Sequence, residues 1–381
     1  MRFTHVKLEN WRNFLSVNIA LDRRVFIVGA NASGKSNFLD AFRFLRDIAD
    51  PQGGFQRAVK DSRGSVSKIR SLHARRYPNV AIEVTMDLGE PEPWSYRLEF
   101  TQDNQRQPII KKEIVRRGDD VVLTRPDAAD KADPSRLTQT HLEQVSANKE
   151  FRQVARFLGS VKYLHLVPQL VRDPDRSAGR VGDPYGGDFL VQLARMKKLN
   201  QRHFEFRLHR IRDALRVAVP QLKDLVLEMD LGVPHLKGLY EHWRPRAGWQ
   251  LEDQFSDGTL RLLGLLWALL DGTAPLLLEE PELSLHAAVV RHIPSMMERV
   301  GRKTERQTIV STHSSEMLMD EGIGAESVIL LVPTREGTDV IAAAKDQQIR
   351  SLLEGGMTVA EAVLPRAAPP AADQLSLFDR E

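Results

Sequence analysis

Cysteine is absent from the 381 residues, which excludes disulfides and thiolate metal sites. Long hydrophobic runs are missing too. The longest, "LLGLLWALL" (262–270), falls well short of the roughly 20 residues that a bilayer-spanning helix needs. The N-terminal stretch "MRFTHVKLENWRNF" has no continuous apolar core of the signal-peptide kind. No heptad repeat is sustained anywhere, so long coiled-coil arms are excluded. These absences lead to the expectation of a soluble chain, with the cytoplasm as the expected compartment.

What is present is enough for a sizeable core: 42% of residues are hydrophobic and 28% charged. The net charge is only +3, but it is unevenly spread. Arg57, Lys60, Arg63, Lys68, Arg70, Arg75 and Arg76 stand against Asp61 alone between 57 and 76, and Arg195, Lys197, Lys198, Arg202, Arg207, Arg210 and Arg212 against Glu205 alone between 195 and 212. Such runs either face nucleic-acid phosphates or form ordinary solvated faces.

The most specific motif is "GANASGKS" (29–36), preceded by the apolar run "RVFIVG" and followed by "NFLDAFRFL", where Phe38, Ala41, Phe42 and Leu45 recur at helical spacing. The pattern predicts a strand, a Gly-containing loop and a helix. Backbone N–H groups and the helix N-terminus of such a loop offer donors to phosphate oxygens. Lys35 can reach the β- and γ-phosphates, and Ser36 can ligate Mg²⁺. Gly29, Asn31, Ser33, Gly34, Lys35, Ser36 and Asn37 are therefore the candidate ATP-binding residues.

Further along, "APLLLEEPELSLH" (274–286) reads as a buried parallel strand ending in two acids, Glu279 and Glu280. At a strand edge beside a phosphate loop, one acid can serve Mg²⁺ and the other polarise the attacking water. A third apolar strand, "QTIVSTHS" (307–314), places His313 at a comparable edge.

With these residues in hand, the chain resembles an ABC-type ATPase head of the branch that holds RecF, SMC-like and OLD-family proteins. The match is carried by "KLENWRNF", "GANASGKSN", "FSDGTLRLLGLLWALL" (255–270), "LLLEEPELSLH" and "STHSSEML". The resemblance implies an α/β fold, with a mixed P-loop sheet, an antiparallel β subdomain and a short helical lobe. It makes Ser256 to Thr259, including Gly258, the signature that contacts the γ-phosphate of ATP on a second subunit. Glu279 takes the Walker B magnesium position, Glu280 that of the general base, Ser284 to His286 the D-loop, and His313 that of the switch histidine. Gln169 in "YLHLVPQLVRDP" stands where a Q-loop glutamine would reach the metal. Two departures mark the subfamily: "SDGT" replaces the commoner "SGGQ", and Glu279 replaces the usual Asp.

Residues 3–28 and 80–125 alternate as in an antiparallel meander with a hairpin near "RGDDV". Residues 134–158 and 188–219 have helical spacing, and 222–255 return to strands. The expected layout is a head over 1–345 (N-lobe about 1–165, helical lobe about 170–220, C-lobe about 221–345), a last helix over 346–363 and a flexible tail over 364–381. The resemblance leaves no room after 345 for the TOPRIM nuclease domain of OLD proteins, so a nuclease or toxin effector is expected as a separate chain. In the tail, Gln374, Leu375, Leu377 and Phe378 of "QLSLF" match the pentapeptide by which bacterial replication and repair proteins dock on the DNA sliding clamp. The expected function is an ATP-hydrolysing switch that dimerises on ATP and acts on DNA or a DNA-bound partner. A non-hydrolysing ATP-dependent adaptor and a transporter nucleotide-binding subunit are the alternatives.

Overall fold

The computed structural model describes residues 1–74, 78–173, 183, 185–243 and 248–368, which form two compact units. The first unit comprises Met1–Lys162, Thr273–Leu277 and the described residues from Glu305 on. In "VAIEVTMD" the alternation becomes the strand Val80–Asp87, which buries Val80, Ile82, Val84 and Met86, because successive side chains of a strand point to opposite faces. It belongs to a six-stranded sheet with spatial order Phe14–Ala20, Arg2–Trp11, Val80–Asp87, Trp94–Gln102, Pro108–Arg117, Asp120–Arg125. Every pairing in it is antiparallel. The hairpin expected near "RGDDV" is there, with Arg117 opposite Asp120.

Residues 24–28 do not join this meander as the alternation suggested. Strand Arg24–Gly29 lies in a second, mixed sheet, ordered Gly337–Ala342, Val328–Thr334, Arg24–Gly29, Thr308–Thr312, Leu276–Glu279, Lys162–Leu164. It pairs in parallel with both of its neighbours. "VFIV" is continuously buried, as a strand covered on both faces requires. Helix Lys35–Ala49 follows it and buries Phe38, Leu39, Ala41, Phe42, Phe44, Leu45 and Ile48, more than one amphipathic stripe. Phe42 meets Phe3 at 4.9 Å and Phe44 stacks on Phe100 at 5.3 Å, so the helix packs on the antiparallel sheet. Gln307, fully buried, accepts from Phe3 N at 2.8 Å and donates to Phe3 O at 2.8 Å, stitching the start of one sheet to the other.

Between 134 and 158 the helical spacing is misleading. Only Arg152–Ser160 is an α-helix, preceded by the 3₁₀ turns Pro134–Thr138 and Lys149–Phe151. The cause is a buried charge cluster that takes over the backbone groups a helix would pair internally. Arg125 donates to Gln139 O at 2.9 Å and Arg136 O at 3.0 Å. Glu113 accepts from His141 N at 2.9 Å and Leu142 N at 3.1 Å.

The second unit comprises Tyr163–Gly272 and Leu278–Thr304. Helices Phe189–Leu199 and Gln201–Ala218 are separated by Asn200, whose side chain caps the second by accepting from His203 N at 3.0 Å. A three-stranded sheet follows, ordered Trp249–Leu251, Val233–Tyr240, Leu222–Asp230, and then helix Asp257–Leu270. Phe189, Phe204, Ile211, Leu236, Phe255 and Trp267 share one core.

The compact units therefore divide the chain differently from the expected lobes at 1–165, 170–220 and 221–345. Residues 305–345 go with the first unit because Thr308–Thr312 and Val328–Thr334 flank Arg24–Gly29. Residues 222–270 go with the helices of 189–218 because they share that core. The single helix expected over 346–363 is two, Gln347–Glu354 and Val359–Ala367, broken where Gly356 takes φ 90°. The second runs through Pro365 into the stretch read as linker. Gln374, Leu375, Leu377 and Phe378 lie outside the described residues. Among the described residues no helix is long and apolar enough to cross a membrane.

Candidate functional site

In the first unit the phosphate loop leaves the strand at Gly29 and turns back through Ser33 N to Ala30 O at 3.1 Å. Ala32 has φ 63° and Gly34 φ 101°; the second is a conformation that glycine adopts without strain. Helix Lys35–Ala49 then begins with Gly34 as its cap, no capping side chain and no acid in the first turn. Its positive end is thus left for an anion. Lys35 is 6% exposed and its Nζ donates to Gly29 O at 2.9 Å and Ala30 O at 3.3 Å. The ammonium is held over its own loop. Ser36 and Asn31 are exposed, while Ser33 is buried and its Oγ has no hydrogen-bond partner among the described residues.

Asn37 and Ser33 are both held by Asn13. Asn37 Nδ2 donates to Asn13 Oδ1 at 2.8 Å, and Asn13 Nδ2 donates to Ser33 O at 2.8 Å. His313 follows the strand Thr308–Thr312, in which Thr312 is level with Val28. It is exposed at the same C-terminal sheet edge as the loop, the edge where open α/β sheets bind ligands.

In the second unit Glu279 ends its strand, and the Tyr163 hydroxyl donates to its Oε2. The His165 Nδ1 lies 3.3 Å from the Glu279 carbonyl. Glu280 follows with φ 43° and Ser284 with φ 61°, a conformation that costs a non-glycine residue energy and clusters at functional sites. The signature packs directly on this segment: a Cβ on Gly258 would stand 2.6 Å from Ser284 O. Ser256 caps the signature helix, accepting from Thr259 N at 3.2 Å. Gln169 is exposed on the short helix Pro168–Arg172. From the same helix Arg172 donates to Phe255 O and pairs with Asp257, both at 2.6 Å. Asn13, Tyr163 and Arg172 are the residues that sequence reasoning missed. Asn13 lies in "KLENWRNF", and Tyr163 and Arg172 lie in "YLHLVPQLVRDP" around Gln169, but nothing in either stretch marks these side chains themselves.

The basic segments are partly structural. Arg63, 2% exposed in its side chain, pairs with Asp40 and Asp47 at 2.7 and 3.0 Å. Arg207 pairs with Asp271 at 3.1 Å over the Trp267 ring, Arg212 pairs with Asp224 at 3.0 Å, and Lys197 donates to Leu227 O at 2.8 Å. Arg57, Lys60 and Lys68 in the first unit, and Arg195, Lys198, Arg202 and Arg210 in the second, are exposed. Arg75 and Arg76 lie outside the described residues.

A family model described as "AAA domain, putative AbiEii toxin, Type IV TA system" matches residues 24–320. The chain belongs to this AAA_21 family. It is an ABC-type, SMC-like P-loop ATPase. The fold is that of SMC heads. One such head, bound to the C-terminal winged-helix domain of ScpA, covers 89% of this chain and 96% of its own at 14% identity and TM-score 0.56. Another, an Smc head domain with an extended coiled coil bound to the C-terminal domain of ScpA, derived from Pyrococcus furiosus, covers 92% and 99% at 13% identity and TM-score 0.53. Endonuclease GajA of Bacillus cereus (strain VD045) is 41% identical over 72 residues, 19% of this chain and 12% of that protein.

Proposed function

We propose that this AAA_21 ATPase is a molecular switch that binds and hydrolyses ATP, dimerises head to tail on ATP, and acts on DNA or a DNA-bound partner. The observation that carries the reading is the phosphate loop: an uncapped helix N-terminus behind Gly34 at φ 101°, with Lys35 stored beside it. The donor set fits a nucleoside triphosphate. Among the described residues no group of three or more His, Asp or Glu could hold a metal alone; by the family resemblance the residues that would hold Mg²⁺ are Ser36 in the first unit and Glu279 and Gln169 in the second, with phosphates and waters supplying further oxygens. When bound, that ion would neutralise charge on the phosphates. Lys35 binds β- and γ-oxygens, Glu280 takes the proton of the attacking water at a carboxylate oxygen, and His313 senses the γ-phosphate. Ser256 and Gly258 complete the partner's site.

The biological setting we infer is phage defence or DNA repair with a nuclease or toxin effector in trans and docking on the sliding clamp through Gln374, Leu375, Leu377 and Phe378. The family description names a putative toxin and a toxin–antitoxin system, and one relative is an endonuclease by name; the clamp reading rests on the pentapeptide alone.

Equilibrium binding of a fluorescent ATP analogue, phosphate release and light scattering test the switch together. Lys35→Ala should lose binding, since a desolvated cation–phosphate contact is worth roughly 2–5 kcal/mol. Glu280→Gln should bind ATP, accumulate as a dimer and barely turn over. Equal turnover by Glu280→Gln and wild type would remove Glu280 from its role, and a monomer under every nucleotide condition would sink the head-to-tail arrangement. Binding without turnover in wild type would favour the adaptor.

A further inference from the structure

"NWRNF" (10–14) carries part of the family resemblance but no role in the chemistry above. Its Asn13 occupies the turn between strands Arg2–Trp11 and Phe14–Ala20, and its side-chain amide and backbone carbonyl are all engaged. Nδ2 donates to Ser33 O at 2.8 Å and to Thr338 Oγ1 at 2.7 Å. Oδ1 accepts from Asn37 Nδ2 at 2.8 Å, and the backbone carbonyl accepts from Thr338 N at 2.9 Å. The fit against the loop is tight: a Cβ on Gly34 would stand 2.2 Å from Nδ2. Three separate pieces of chain meet on this one side chain, namely the phosphate loop, the first turn of its helix and the hairpin of Val328–Thr334 and Gly337–Ala342.

We propose that Asn13 is a positioning residue that sets the shape of the phosphate loop and, through Thr338, makes that shape depend on the C-terminal hairpin. The inference rests on the nucleotide reading above. A loop with φ 63° at Ala32 and 101° at Gly34 holds that conformation only if its surroundings impose it. By taking the Ser33 carbonyl as its acceptor, Asn13 fixes the peptide plane before Gly34. The loop is then formed before ligand arrives, which removes an ordering cost from binding. A substitution on the distant hairpin should therefore be felt as nucleotide affinity.

The test uses the full chain in a Glu280→Gln background, with a fluorescent ATP analogue titrated well below the unfolding temperature, and the thermal midpoint measured without nucleotide. Asn13→Ala, which removes three hydrogen bonds, should weaken binding by about tenfold and Thr338→Val, which removes one, by about threefold, since only part of each bond's roughly 1 kcal/mol is felt in binding. Thr338→Val keeps shape and backbone bond, so its midpoint should fall by only a few degrees and the chain should stay folded at the titration temperature. The double variant should bind no more weakly than Asn13→Ala alone, because the two share one bond. Amide exchange over 30–34 should quicken in all three. Affinity within twofold of the parent for both single variants, or fully additive losses, would overturn the role of Asn13. No binding by the parent chain or by wild type would instead overturn the nucleotide reading itself.

Discussion

The Tyr163 hydroxyl donates to Glu279 Oε2, so the acid proposed as a magnesium ligand is oriented by a side chain that is itself 9% exposed. Glutamate has one more rotatable bond than the aspartate usual at this position, and the phenol limits the extra freedom. Partners of metal ligands typically contribute 10- to 100-fold to metal affinity. Tyr163→Phe is expected to raise the Mg²⁺ concentration for half-maximal turnover by about tenfold while leaving metal-free nucleotide binding unchanged. A magnesium titration of phosphate release checks this, and an unshifted midpoint would dismiss the tyrosine as a positioning group.

Arg125 is fully buried between Glu113 at 2.9 Å and Asp130 at 2.8 Å, both also fully buried. Removing one partner of such a cluster leaves charges without compensation, at a cost of roughly 3–5 kcal/mol. Arg125→Met is expected to lose about that much in chemical denaturation and to loosen 134–148, whose backbone Arg125 and Glu113 hold. A loss below about 1 kcal/mol would show that the segment is held by other means.

Burial pushes the Glu143 carboxyl up from 4.5 to about 7, against the lowering effect of hydrogen bonds from Phe55 N and the Thr140 hydroxyl. A folded-state value above the unfolded one means that the native protein holds the proton more tightly. The contribution is therefore complete below pH 4.5 and is lost as pH rises through about 7. Glu143→Gln should lack this dependence, so its midpoint should gain on wild type between pH 5 and pH 8. Parallel curves for the two proteins would contradict the shifted carboxyl.

If DNA binds the second unit, its phosphates meet Arg195, Lys198, Arg202 and Arg210, because Lys197, Arg207 and Arg212 are engaged within the protein. Charge reversal of the exposed set should weaken binding for all sequences alike and flatten the dependence of log affinity on log salt by about one for each phosphate no longer neutralised. Reversal of Arg207 should instead reduce stability, since it stacks on Trp267 at 4.8 Å. An unchanged slope would return this surface to simple solvation.

The strand and helix that flank Gly29–Ser36, the strand that ends at Glu279 and the helix that follows Ser256 were legible in the sequence because each is a local pattern carried by neighbours along the chain. The meander was legible too, since alternation is a property of the strand itself. Residues 24–28 and 134–151 were not: whether an apolar strand joins one sheet or another, and whether a helical pattern becomes a helix, depends on what lies opposite. In these cases that was Thr308–Thr312 and the Arg125 cluster. Likewise the division of the basic runs into ion-paired and exposed side chains needed Asp40, Asp47, Asp224 and Asp271 to be brought near in space. Asn13 and Tyr163 belong to the same class. A single amide 20 residues from Ser33 and a phenol 116 residues from Glu279 leave no periodic or spaced signal. Hydrogen bonds act over about 3 Å of space and are indifferent to sequence separation, so only the folded chain could assign them.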